Sequence, residues 1–212
     1  MIMREGIVLQ LQAEALDGSV DIETLLRKAY LVARKLELKE FEEWISCEQN
    51  GYKTSPPDYR IIGVRLKAWN PYYGWTPVVA QGVVEELLNT APIYNSISFI
   101  VDTYNSSEGS ITLTVSGKLT ELLNNYSGSL PTNYGFQTSK AEFGRIISAI
   151  RNKILDWSLL LEKNGIIGEG LTFSEAEVKT AKESSVIYNY TNNFYSTTTN
   201  TRIQQGSNEN HQ

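Results

Sequence analysis

Glu48 stands four residues after Trp44 and just before Asn50-Gly51-Tyr52, which puts a carboxylate and an indole on one side of a helical turn. A carboxylate can work as a general acid or base when it is held within hydrogen-bond reach of its target. The same residues read equally well as a helix-ending arrangement. Further along, Arg151-Asn152-Lys153 precedes Asp156-Trp157. Lys153 and Asp156 are three apart and can pair on a helix surface, whereas Arg151 and Asp156 are not at ideal spacing. Glu48, Arg151 and Asp156 are therefore the side chains available for acid–base or phosphate chemistry. A second group is aromatic: Trp69, Asn70, Tyr72, Tyr73 and Trp75 surround Pro71. Flat rings with polar handles suit stacking on a base or sugar, or anchoring a protein interface. The plainer expectation is that these rings fold back onto a sheet and close a small core.

Other chemistries lack their residues. The single histidine, His211, is the penultimate residue, and chain ends are poor places to hold a general base. Cys47 has no histidine near it in the body, which argues against a cysteine–histidine pair and against a four-ligand zinc site. Glu42-Glu43 and Glu85-Glu86 are adjacent in sequence, so each pair diverges on a helix. No phosphate-binding glycine loop with its lysine occurs, and no Gly-x-Ser-x-Gly elbow. No catalytic set is assigned, and neither a metal nor a cofactor is expected.

The elements that must position these residues come from a chain of 212 residues, 41% hydrophobic, enough for one sizeable core. Its formal net charge of -5 argues against broad charge-driven binding of nucleic acid, but leaves room for a local basic patch. One cysteine and no evident signal peptide point to a cytoplasmic protein. No apolar run approaches the roughly 18 residues of a membrane span.

Ile7, Val8, Leu11 and Ala15 recur at helical spacing. Asp21 caps a second helix with a stripe of Ile22, Leu25, Leu26, Ala29, Ala33 and Leu36. Arg27, Lys28, Arg34 and Lys35 lie opposite, a stripe that could meet phosphates but reads as a solvated face paired with Glu23, Glu37 and Glu40. A third helix covers residues 40–50 and stops at Gly51. The period then changes to two: Ile62, Val64, Leu66 and Ala68 predict a strand, Asn70 to Gly74 a turn, and Trp75 to Val79 an edge strand carrying Pro77. Short helices are expected at 83–88, 96–104 and 119–124, a strand at 111–115, and loop over 126–135. Ser139 and Glu142 form a capping-box pattern ahead of a long helix with Phe143, Ile147, Ile150, Ile154, Trp157 and Leu161, ended by Gly165. One more helix is expected over 172–182.

At Ser184 the composition changes, and no charged residue occurs from there to Thr201. Alternating Val186, Tyr188 and Tyr190 predict a strand with too few apolar groups to fold alone; loose disorder is the other reading. The expected architecture is α+β: a helix-rich body over residues 1–183 with a small antiparallel sheet, then a polar β-prone tail over 184–212 that could drive homo-oligomers.

Three stretches together resemble the AbiTii domain family, associated with abortive infection in bacteria. They are Leu25-Leu26-Arg27-Lys28-Ala29 through Trp44-Ile45 to Glu48-x-Asn50-Gly51-Tyr52; Leu66-Lys67-Ala68-Trp69-Asn70-Pro71 with Gly74-Trp75-x-Pro77-Val78; and Arg151-Asn152-x-Ile154-Leu155-Asp156-Trp157 with Gly165-Ile166, Gly168-Glu169-Gly170 and Phe173-Ser174. The resemblance runs to about Lys182, and Ile203-Gln204-Gln205-Gly206-Ser207 is similar to the polar tails that follow such domains. It implies a role in phage defence and assigns no catalytic residue. The expectation is a non-enzymatic sensor, adaptor or assembly component with a protein partner. The alternative is an enzymatic toxin acting on nucleic acid or a nucleotide. Plain nucleic-acid binding is a third option, resting on the basic stripe and the aromatic turn.

Overall fold

A computed structural model describes residues 5–79, 88–127 and 130–192. Helix α1 (Ile7–Leu16) buries Ile7, Val8, Leu11 and Ala15, as their spacing requires. Asp17 ends it in a tight turn whose side chain accepts the Ser19 N–H at 2.8 Å. Helix α2 (Ile22–Leu36) is capped by Asp21, which accepts from Thr24 N at 2.8 Å, and it buries the full predicted stripe together with Val32. Helix α3 (Lys39–Asn50) buries Phe41, Trp44, Ile45 and Glu48. Gly51 stops it at φ +90°, and a Cβ there would lie 2.8 Å from the Tyr94 carbonyl oxygen. Only glycine fits that combination of positive φ and close backbone approach.

The expected single strand from Ile62 is two. Strand β1 (Ile61–Gly63) pairs antiparallel with β4 (Thr90–Pro92). Strand β2 (Arg65–Asn70) belongs to a four-stranded antiparallel sheet of order β3-β2-β6-β5, with β3 (Gly74–Pro77), β5 (Ile111–Thr114) and β6 (Tyr134–Thr138). The break falls at Val64, whose N–H leaves both ladders for the Asn89 carbonyl at 2.8 Å. Pro77 sits on β3, an edge strand, where its missing N–H costs no ladder bond. Strand β6 runs through the stretch expected to be loop as far as Gly135, and it is central to the sheet. The helix expected at 83–88 falls, apart from Leu88, outside the described residues.

Helix α4 (Ile97–Asn105) is capped by Ser96, and α5 (Gly117–Ser127) is longer than its pattern suggested. Helix α6 (Lys140–Lys163) crosses the body, burying Phe143, Ile146, Ile150, Ile154, Trp157 and Leu161; Ile147 is only partly buried. Trp157 stacks on Phe41 with centroids 3.8 Å apart and planes 17° from parallel. The Ser139 capping box does not form. Glu142 instead accepts from Arg145 and from the Gly63 N–H. A complete capping box starts α7 (Glu175–Glu183), between Ser174 and Glu177.

Glu177 also closes the glycine-rich connector. Its Oε1 accepts from Ile167 N at 3.0 Å and Gly168 N at 2.8 Å, and its Oε2 from Ser174 N at 2.8 Å. The Ile167 carbonyl in turn accepts from Val8 N at 3.2 Å, docking this knot on α1. Past Ser184 the chain differs from the expected strand: residues Ser185–Asn192 form helix α8. Ile187 is fully buried in the main core and the Tyr190 hydroxyl donates to the Lys153 carbonyl. Positions 187 and 190 are three apart, so a helix turns both toward the body where a strand would separate them. The rest of the tail, residues 193–212 with His211, lies outside the described residues.

Candidate functional site

Two clusters gather the polar and aromatic candidates. The first is internal. Glu48 is fully buried near the C-terminal end of α3, and Arg60, equally buried, faces it from the short 3-10 turn Asp58–Arg60. Arg60 Nη2 donates to Glu48 Oε2 at 2.6 Å and Nε lies 3.2 Å from both carboxylate oxygens. The Tyr52 and Tyr59 hydroxyls each donate to Glu48 Oε1 at 2.5 Å. Trp44 Nε1 donates to the Tyr59 hydroxyl at 2.8 Å. Arg60 Nη1 donates to the carbonyls of Asn95 at 2.6 Å and Ile93 at 3.3 Å, while its guanidinium lies 4.9 Å from the Tyr52 ring centroid.

The electrostatics follow from burial. Desolvation, reinforced by the neighbouring Glu48 charge, pushes both tyrosine hydroxyls well above their ordinary range, so they act as neutral donors. Burial opposes the charge of Arg60, but the Glu48 carboxylate outweighs it and holds the guanidinium protonated. A buried ion pair is tolerable only when further hydrogen bonds support it; here both Glu48 oxygens and all three guanidinium nitrogens of Arg60 have partners. The cluster ties α3, the 3-10 turn Asp58–Arg60 and the segment between β4 and α4 into one unit. It offers no solvent-reachable carboxylate for acid–base work.

The neighbouring candidates on α6 point in different directions. Arg151 donates to the carbonyls of Glu14 at 3.1 Å, Asp17 at 3.0 Å and Val20 at 2.6 Å. It clamps the α1–α2 turn, where a cation meets the negative end of α1. Lys153 lies 5.2 Å from the Tyr59 ring centroid. Burial pulls its pKa below the ordinary lysine value, against the pull of Asp156 and Glu48. Asp156 is exposed. Glu48, Arg151 and Asp156 are thus not gathered around one open space. The α2 basic stripe is occupied as its spacing suggested, with partly different partners. Arg27 pairs with Glu23, Lys28 with Glu14, and Arg34 with Glu42; Lys35 donates to the Leu171 carbonyl. Glu37 is taken by Lys182.

The second cluster is external. The β2–β3 hairpin pairs Trp69 with Trp75 across the strands, edge to face at 5.3 Å. Asn70 Oδ1 accepts from the N–H groups of Tyr72 at 2.9 Å and Tyr73 at 3.2 Å, which sets the turn. The expected folding-back of the rings occurs only in part. The Trp75 ring lies across Gly135 of β6, where a Cβ would come within 3.1 Å of it. Tyr72 and Tyr73 project outward, 90% and 82% exposed, while Trp69 and Trp75 remain 44% and 37% exposed. Register places Arg65, Lys67 and Trp69 of β2 on one face with Trp75 of β3, Gly135 and Gln137 of β6, and Thr112 and Thr114 of β5. The opposite face carries Leu66 and Tyr134, buried with Val115 in a second, smaller core. Beside the hairpin, a groove of about 840 Å³ is lined by Trp69, Tyr72, Thr120, Asn124, Leu130 and Thr132, among others.

Sequence reasoning missed Arg60, the partner that explains Glu48, because no periodicity links a helix end to a loop twelve residues on. It also passed over Arg65 and Lys67, although their every-second-residue spacing with Trp69 was visible. Among the described residues, no group of three or more His, Cys, Asp or Glu could hold a metal ion. No described helix is long and apolar enough to cross a membrane. The AbiTii family matches residues 6–186, and no curated protein or solved structure matches the chain. A match over most of the 212 residues places the chain in that family.

Proposed function

We propose that this member of the AbiTii family works in abortive-infection defence as a non-enzymatic recognition component, with the β2–β3 hairpin and the outer sheet face as its recognition surface. The family name carries the biological setting. The molecular reading rests on one observation: the four hairpin rings are displayed at the surface, while Glu48 and Arg60 are consumed inside the body and Arg151 is spent on the carbonyls of the α1–α2 turn. Trp and Tyr displayed at a surface are among the side chains that most often anchor a binding partner. A toxin acting through Glu48 would need that carboxylate to reach solvent, and it is fully buried.

The test is phage protection by a Trp69→Ala/Trp75→Ala double variant, measured as efficiency of plating beside its circular-dichroism melt. Loss of protection in a folded variant is expected. Full protection by a folded double variant would sink the reading.

Assembly through residues 193–212 belongs to the same proposal, supported by the uncharged Asn, Thr and Tyr run through Thr201. Light scattering should give a multiple of the single-chain mass for the full chain and the single-chain mass for one ending at Asn192; single-chain masses for both would remove the assembly reading. Ending the chain at Glu183 would remove Ile187 from the core and confuse the comparison.

A further inference from the structure

We infer that the outer face of the four-stranded sheet binds single-stranded nucleic acid, an inference that rests on the recognition surface proposed above. Along β2, Arg65, Lys67 and Trp69 recur at every second residue, about 7 Å apart on one face. Trp75 stands opposite Trp69 on β3. Thr112, Thr114 and Gln137 continue the face with hydroxyl and amide groups, and Gly135 keeps its centre low enough for the Trp75 ring to lie across it. This arrangement combines rings for stacking, cations beside them, and small polar groups able to meet base edges.

Charge complementarity selects the occupant. The chain as a whole is acidic, yet β2, β3, β5 and β6 contain no aspartate or glutamate. The cations of the α2 stripe are spent on carboxylates or a carbonyl. Arg65 and Lys67 make no ion pair among the described residues, and Arg65 is exposed. An aromatic face for a neutral sugar would not need two cations that make no ion pair among the described residues. A phosphate backbone would, and unpaired bases supply the π-faces that Trp69 and Trp75 stack on. Trp69 and Trp75 meet at 71°, so a base stacked on one ring meets the edge of the other. That geometry suits splayed bases rather than a closed duplex.

The experiment uses the full chain with fluorescein-labelled oligo-dT and oligo-rU of about 15 nucleotides, followed by anisotropy between 50 and 200 mM salt. Binding that weakens with salt is expected, and the Trp69→Ala/Trp75→Ala variant should lose roughly tenfold per ring. Trp69→Phe/Trp75→Phe, which keeps a stacking face, should retain most of the affinity. Arg65→Gln/Lys67→Gln should flatten the slope of log K against log salt by about 0.7 per lost phosphate contact. No binding of either oligonucleotide at 50 mM salt would overturn the inference, as would binding undiminished in a folded Trp-to-Ala variant. The two readings separate cleanly. Lost protection with no oligonucleotide binding removes the nucleic-acid ligand and leaves the surface. Binding with protection intact in the Trp-to-Ala variant removes the recognition role.

Discussion

The Glu48–Arg60 cluster and the outer sheet face are made from the same kinds of side chain. The first combines Trp44, Tyr52 and Tyr59 with one carboxylate and one guanidinium; the second combines Trp69, Trp75, Tyr72 and Tyr73 with Arg65 and Lys67. They differ in where the hydrogen bonds end. Inside, Glu48 Oε1 takes two tyrosine hydroxyls, Arg60 spans a carboxylate and two carbonyls, and Trp44 finds Tyr59. Outside, the rings remain 37–90% exposed, and the two cations have no described ionic partner. Residue type alone marks both regions as chemically able. Burial and satisfaction assign one to the fold and leave the other for a ligand.

The largest expected effect falls on the inner cluster. Glu48→Ala would leave Arg60 buried without its counter-charge, at a cost of about 3–5 kcal/mol, read by urea unfolding. Trp69→Ala removes a half-exposed ring and one edge-to-face contact, at about 1 kcal/mol. If the two cost the same, the division between them breaks.

A smaller effect is pH-dependent and belongs to the fold. Burial raises the Glu177 pKa, but hydrogen bonds from the backbone of Ser174, Gly168 and Ile167 outweigh it, so its folded value lies below the ordinary 4.5. A depressed carboxylate pKa stabilises the folded state fully above the unfolded value and loses that contribution as pH falls through the folded one. Thermal stability should therefore decline below about pH 4.5. Glu177→Gln should reduce stability at neutral pH by about 1 kcal/mol, the partial exposure of the group taken into account. The same variant should leave the sheet face's ligand binding unchanged at neutral pH. The smallest effect is Arg27→Ala. That pair with Glu23 is exposed on both sides, and its loss should change stability by no more than about 0.5 kcal/mol. A large loss of protection in Arg27→Ala would move the binding surface to α2.

Much of this frame was legible in the sequence, because the signals were local. The α2 stripe, the Asp21 cap, the stops at Gly51 and Gly165 and the Asn70–Gly74 turn each depend on residues within a few positions of one another. The failures required distant partners. Strand β6 begins inside the stretch expected as loop, and its Gly135 is required by Thr112 and Trp75, where an added Cβ would come within 2.7 and 3.1 Å, residues 23 and 60 positions away in sequence. The capping box belonged at Ser174 rather than Ser139 because Glu142 is drawn away by Gly63 and Arg145. Helix α8 follows from the body's hold on Ile187 and Tyr190, which overrides the strand preference of its Val, Ile and Tyr residues. Glu48 was visible as a candidate, but its role depended on Arg60, which carries no pattern.

The most direct test neutralises the inner pair without opening it. Glu48→Gln keeps an acceptor for both tyrosines, and Arg60→Met fills the guanidinium's place with an apolar chain. Replacing both members of a buried pair often costs little, whereas removing one costs much. Phage protection and the melting temperature of this double variant would be measured together. The account predicts a folded protein that protects as well as the parent. A folded double variant that no longer protects would show that the Glu48–Arg60 pair takes part in function, and would contradict it.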